Sequence, residues 1–284
     1  MNDVAFKTQT IVYFKKLVRI AVKEKFVKFL AFAAIIGFIA SYVVGKNMFD
    51  TFEDTQSGFF TIASAAIWLG IFNSIQNICK EHEIIRAEYR SGMSMAAYVT
   101  AHAMWQFVIC FIQSLIIFGI SLIFINYNSS GLIISGTPAI ECFLTILLLT
   151  FGADMMGLMI SAIASTATTA MTIMPFVLIV QLIMSGVLFV LEGASKVISY
   201  ITFSKWGMRA FGAIGNILKL RTKTQIKLAQ KGIIMPGAAD DKNFKEAYAH
   251  DIDNLLKAWG CIILITVVCY LITILSLKLR NHDS

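Results

Sequence analysis

The residues able to do chemistry are few, and most of them fall where a bilayer would hold them. Glu81-His82-Glu83 begins like a zinc-binding HExxH helix, in which two histidines a turn apart hold the metal; the second position here is Arg86, so the set fails as a metal site. The phosphate-cradling GxxxxGK(S/T) loop does not occur, so the chain has no Walker loop of its own. No Ser/His/Asp or Cys/His set sits in a context suited to nucleophilic attack. Asp154 is the strongest anomaly. It lies inside an apolar run, where a carboxylate costs roughly 2.5 kcal/mol or more unless paired or wetted. Two roles stay open for it: lining a polar path or titrating, and a hydrogen-bonded packing role between helices. His102 and Gln106, and Asn73 and Gln76, are candidate partners, each read first as a helix-to-helix hydrogen bond.

The elements that position these residues follow from composition. Hydrophobic residues make up 57% of the 284 and charged ones 14%, far from the balance of a soluble domain. A crossing needs about 20 mainly apolar residues, and six segments qualify: Phe29 to Val44 (starting as early as Phe26), Gly58 to Ile78, Ala96 to Ile125, Ala139 to Ala164, Ala170 to Val190, and Trp259 to Leu277. Lipid offers no partner to backbone N–H and C=O groups, so these runs are expected to be helices, making the chain an all-α membrane protein.

Lysine and arginine in short flanks set the orientation. Lys7, Lys15, Lys16, Arg19, Lys23, Lys25 and Lys28 precede the first span, Lys80, Arg86 and Arg90 follow the second, and Lys278 and Arg280 follow the last. With six spans all lie on one side, and both termini are expected to be cytoplasmic. The basic stretch from Leu191 to Ala258 falls outside by parity, since long loops cross regardless of charge. The net charge of +7 is therefore assigned to flanks facing anionic lipid rather than to nucleic acid. All five cysteines fall within or at the end of apolar spans, which provides neither an external disulfide nor a CxxC metal pair, and the N-terminus lacks a cleavable signal.

Four regions follow. Residues 1–28 form an amphipathic surface helix, since Ile11, Phe14, Val18 and Ala21 recur at helical spacing beside Lys15, Arg19 and Lys23. Residues 29–190 hold five spans, with the charged block KEHEIIRAEYRSGMS, 80–94, as a handle after the second. Few residues, around Ser165 to Thr169, separate the fourth and fifth, which requires a tight hairpin, and Ser161, Ser165 and Thr169 place small residues four apart. Residues 191–258 begin as short helices dipping into the outer interface, with Tyr200 and Trp206 at headgroup level, and continue as a basic block (Lys219 to Lys231) and an acidic block (Asp240 to Asp253) joined at Met235-Pro236-Gly237. Residues 259–284 are the last span and its tail; the helix into it is expected to begin near Asn243, because Phe244, Tyr248, Ile252 and Leu255 keep one face apolar.

Three stretches in order carry a family resemblance: AEYRSGMSMAAYV (Ala87 to Val99), GLMISAIASTATTAMTIMPFVLIVQLIMSGVLF (Gly157 to Phe189) and ISYITFSKWGMRAF (Ile198 to Phe211). With the handle, the hairpin and the broken outer segment, the chain resembles the membrane subunits of type-2 ABC exporters with the G-subfamily architecture. The resemblance implies a permease moving a lipid, hydrophobic drug or peptide-like substrate outward across the plasma membrane. It also implies a second permease copy, identical or related, and a separate ATPase subunit that binds the ATP and Mg; this chain is expected to bind no cofactor. Thr8 to Lys25 would be the connecting helix. The coupling helix would contact the ATPase through Glu81, Glu83, Arg86, Glu88, Tyr89, Arg90 and Gly92. Leu69, Phe72, Asn73, Phe176 and Ile179 would line the path, with Val187 and Leu188 as its apolar plug. The insert from Lys219 to Asp253 has no counterpart in that pattern. The rival readings are a stand-alone carrier driven by an ion gradient through Asp154 and His102, and a membrane scaffold that transports nothing.

Overall fold

Apolar runs with no water to satisfy their backbone close on their own hydrogen bonds, and the computed structural model follows that rule. It describes residues 5–23, 27–46, 48–127, 132–133, 138–189, 191–230 and 246–282, and among these every regular element is helical. In order they are α1 (Phe6–Lys23), α2 (Val27–Val44), α3 (Phe52–Ser74), a 3-10 turn (Cys79–Glu81), α4 (His82–Arg90), α5 (Met95–Phe124), α6 (Ala139–Ile163), α7 (Ala167–Ile183), α8 (Gly193–Ser199), α9 (Phe203–Ile214), α10 (Ile217–Gln230) and α11 (Ile252–His282).

Among the described residues, five stretches are long and apolar enough to cross a membrane: Val27–Val44, Phe52–Arg90, Met95–Phe124, Ala139–Ile163 and Ile252–Arg280. The run expected to be the fifth span differs. Its helix, α7, has 17 residues, about 25 Å at 1.5 Å per residue, short of the roughly 30 Å hydrocarbon core. The helix ends before Ser185-Gly186, where Gly186 takes φ +76, and the apolar chain continues without helical structure through Phe189. Val190 lies outside the described residues.

α3 and α6 form the centre. Each has 72% of its most apolar window buried, against 22% for α2, 33% for α5 and 28% for α11. Small residues permit their approach: a Cβ on Gly70 would collide with the Thr150 carbonyl and lie 2.8 Å from the Ala153 Cβ and the Asp154 nitrogen, and one on Gly157 would lie 2.9 Å from the Ile71 carbonyl. Ser74 Oγ donates to the Asp154 carbonyl across the same seam, at 2.6 Å.

α3 also starts earlier than its apolar run. Thr51 caps it by accepting from the Asp54 amide at 3.1 Å, and Glu53 and Asp54 sit in its first turn, where the helix dipole favours acids. Its far end stops short of Ile78 for a reason outside the helix. The amides of Ile78 and Cys79 donate to Ser161 Oγ of α6, at 3.0 and 3.1 Å. The tight hairpin is present, with Ala164, Ser165 and Thr166 between α6 and α7 and Thr166 accepting from the Thr169 amide.

The segment after α7 folds back onto the bundle. Phe203, Met208, Phe211 and Ile214 of α9 are fully buried, and Phe211 stacks on Phe59 of α3 at 4.8 Å between ring centroids. Trp206 is 7% exposed, its indole N–H donating to the Tyr200 carbonyl at 2.8 Å, and Tyr200 itself is exposed. The start of the last helix is also corrected. It begins at Ile252 rather than near Asn243, because the Asn254 amide turns back to the carbonyls of Ala247 and Ala249 and holds the chain bent there. The basic block enters α10, while Met235-Pro236-Gly237 and the start of the acidic block, residues 240–245 with Asn243 and Phe244, lie outside the described residues, as do Lys25 and Phe26.

The seam makes a direct demand on Gly70. Gly70→Ala is expected to lower stability by about 1–3 kcal/mol, read as a fall in thermal midpoint of the detergent-purified protein. Gly119→Ala in α5, where a Cβ meets nothing within 4 Å, is expected to leave the midpoint unchanged or raised.

Candidate functional site

The handle folds as the 3-10 turn and α4, closed by Gly92 at φ +95, a backbone angle that side chains disfavour. Its inner face is fastened to four other elements. Ile85 is buried at 1% exposure. Tyr98 of α5 donates its hydroxyl to Glu81 Oε2 at 3.0 Å, and Lys16 of α1 pairs with Glu88 Oε1 at 3.0 Å. Gln9 of α1 accepts from the Ser94 amide at 2.8 Å and donates to the Gly92 carbonyl. Tyr13, edge-on to Tyr98 at 5.7 Å, has its phenol pushed up to about 12, by burial first and then by the Glu88 carboxylate.

At the other end of α4, His82 meets both the hairpin and the chain's last helix. Its Nε2 lies 3.0 Å from the Ala164 carbonyl and 3.1 Å from Arg280 Nη1 of α11, and Arg280 also donates to Ala164 at 3.1 Å. Burial holds the His82 pKa below its ordinary value, and a neutral ring uses Nε2 for one of these contacts at a time, donating to the carbonyl or accepting from the guanidinium. Together with the Ser161 cap, these bonds make the handle continuous with α6 and the α6–α7 turn.

The seven residues expected to contact an ATPase therefore divide. Glu81 and Glu88 are engaged inward, Arg86 and Tyr89 are half-buried, and Glu83, Arg90 and Gly92 are exposed. Sequence reading missed Ile84, which is 49% exposed and stands in one outward row with Lys80, Glu83, Ala87 and Ser91 at helical spacing. The EII-R pattern carried the signal: two consecutive isoleucines cannot both face inward from a single helix.

The expected path residues divide as well. Phe72, Phe176, Ile179 and Leu188 are exposed and Val187 is half-buried. Leu69 is buried, and Asn73 is locked to α5: it donates to Gln113 Oε1 at 2.7 Å and accepts from Gln113 Nε2 at 3.0 Å, while Gln113 also donates to the Phe29 carbonyl. Asp154 is fully buried with neither carboxyl oxygen hydrogen-bonded, and His102, Gln106, Asn73 and Gln76 all fail to reach it. Among the described residues no group of histidine, cysteine and carboxylate side chains is placed to hold a metal.

The family profile of ABC-2 type transporters matches residues 7–214, from α1 to the last residue of α9. The chain belongs to the ABC-2 type transporter family. It is also similar to an ABC transporter ATP-binding/permease protein of Mycobacterium tuberculosis, 27% identical over 157 residues that cover 55% of this chain and 18% of that protein. The chain thus aligns with under a fifth of the relative's length. As an ABC-2 membrane component it is a transport protein, not itself a catalyst, and it carries several helices fit to cross a membrane. α10 and α11 lie beyond the matched range, as does the insert for which no counterpart was found.

Ser161 is the test of the link between handle and bundle. Ser161→Ala removes the acceptor of two buried amides and is expected to cost about 1–3 kcal/mol, read as a lowered thermal midpoint. Ser165→Ala, at an exposed turn position four residues on, is expected to leave it unchanged.

Proposed function

We propose that the chain is the permease of an ATP-driven exporter, and that α4 is the surface through which an ATPase moves it. One observation carries the reading: a short helix bolted on its inner face to α1, α5, the α6–α7 turn and α11 presents an outer face, Glu83, Ile84 and Ala87, that stays exposed among the described residues. Membership in the ABC-2 family supplies the partner class. Force applied at Glu83, Ile84, Ala87 and Arg90 would pass through Ser161 and Ala164 into α6 and α7, and through Glu88 and Lys16 into α1.

On this reading α2, α3, α5, α6, α7 with the non-helical residues 184–189, and α11 are the six crossings, and both termini are cytoplasmic. α1 lies along the inner surface of the plasma membrane, and α8 and α9 are the re-entrant outer helices. A second copy, identical or related, would face the exposed Phe176 and Ile179 of α7, with Phe72 on the same path and Val187 and Leu188 at its outer end. ATP and Mg would be held by the ATPase, whether it is a separate subunit or, as the Mycobacterium protein's name indicates for that relative, part of the same polypeptide. The cargo would be a lipid, hydrophobic drug or peptide-like molecule. Asp154 would serve as a packing residue of the central seam, where it is fully buried on α6.

Affinity purification from native membranes tests the coupling surface. The tagged chain is expected to retain a Walker-loop ATPase, and Ile84→Asp with Glu83→Ala is expected to cut its recovery at least about tenfold, a loss of roughly 1.4 kcal/mol, without shifting the thermal midpoint. Transport by the purified chain with no ATPase present, or full ATPase recovery by the double variant, would contradict the proposal.

A further inference from the structure

A cavity of about 340 Å³ lies within the single chain, bounded by α1, α2, α3 and α5 and touched by Met171 of α7. Its size falls in the roughly 300–1,000 Å³ range of small-ligand sites. It shares Phe72 and Asn73 with the candidate path and takes nothing from Phe176, Ile179, Val187 or Leu188. Leu17 and Ile20 of α1 and Phe29 of α2 give it an apolar wall, and one face of α5 brings His102, Gln106 and Ile109 to its more polar side.

The polar side contains unmet hydrogen-bonding groups. His102 is 2% exposed with neither ring nitrogen bonded, and Gln106 is 1% exposed with a bare Oε1, its Nε2 being spent on the Asn73 carbonyl at 3.5 Å. A neutral imidazole offers one donor and one acceptor, and the amide oxygen only accepts. The three sites together call for a ligand that donates at two of them and accepts at the third. Vicinal hydroxyls do this. A phosphate, fully ionised, only accepts, and would leave Gln106 and one nitrogen of His102 unmet. The carboxylate that lines the cavity, Glu81, accepts the Tyr98 hydroxyl on Oε2, and Lys80 is exposed.

We propose that this cavity is an accessory site for a neutral, hydroxyl-bearing amphiphile, with its hydroxyls on His102 and Gln106 and its acyl chain along Leu17, Ile20 and Phe29. Asn77, Lys80 and Glu81, which join α3 to α4, line the same space, so an occupant packs directly beneath the root of the handle and between it and α1. The site goes beyond the transport reading and stands without it, because its formation requires neither a second copy nor nucleotide.

Trp105 lines the cavity and reports on it. Purified full-length chain in nanodiscs is titrated with a brominated 1-monoacylglycerol, and the Trp105 contribution is taken as the difference from Trp105→Phe. The site predicts saturable quenching, with apparent Kd raised at least about tenfold in His102→Leu with Gln106→Leu, and no saturable quenching by brominated phosphatidylglycerol of equal chain length. Ala21→Phe, which fills the cavity from the peripheral α1, is expected to abolish the signal while α3 and α5 stay unaltered. Absence of saturable quenching by monoacylglycerol, unchanged affinity in the double variant, or equal binding of the anionic lipid would overturn the proposal.

Discussion

The structure depends on how closely α3 approaches α6. Gly70 and Gly157 leave room for backbone to lie against backbone, and Ser74 spans the contact to the Asp154 carbonyl. In a bilayer the tails around a helix are as apolar as its own leucines, so burial alone does not drive helices together; packing of small residues and hydrogen bonds between helices do. The pair therefore serves as a stiff core to which more peripheral helices attach. α5 attaches through the Asn73–Gln113 amide pair, α9 through the Phe59–Phe211 stack, and α7 through Gln181, whose Nε2 donates to Met156 Sδ of α6 at 3.6 Å.

Contacts between segments likewise fix α4, a surface helix of nine residues. An isolated helix of that length is marginal in water and has no fixed direction. α4 gains both from its neighbours: Ser161 receives the chain as it leaves α3, His82 and Arg280 converge on Ala164, and Lys16 and Gln9 hold the far end. Each bond is modest, and the Lys16–Glu88 pair, with about a third of each side chain exposed, contributes on the order of 1 kcal/mol or less. Their value is geometric. They orient one face of α4 inward and leave Glu83, Ile84 and Ala87 outward, so displacing that face requires α1 and the α6–α7 turn to move with it.

Much of this was legible in the sequence, since bilayer length and helix-closing backbone are properties of single segments. The handle, the hairpin and the amphipathic α1 were visible for that reason. What escaped depended on contacts between segments. Hydropathy continues through Ser185-Gly186 although the helix does not, because composition does not register a left-handed glycine. The packing of Trp206 and its neighbours on α9 into the bundle is likewise invisible to composition. Ser161 was noticed for its small size, while its role comes from two amides more than eighty residues away in sequence. Charge alone could not separate Glu88 from Glu83: five residues apart on one helix, one reaches Lys16 and the other reaches solvent.

The sidedness of α4 is the point on which the account is most exposed, because an ATPase can grip the handle from the cytoplasm and nowhere else. Ser91 is exposed just past the helix, and the native cysteines are buried apart from the half-buried Cys261, so a thiol introduced as Ser91→Cys would stand out against a low background. With a membrane-impermeant maleimide, the account predicts no labelling of Ser91→Cys in intact cells and full labelling once the membrane is opened. Labelling in intact cells would place α4 outside and contradict it.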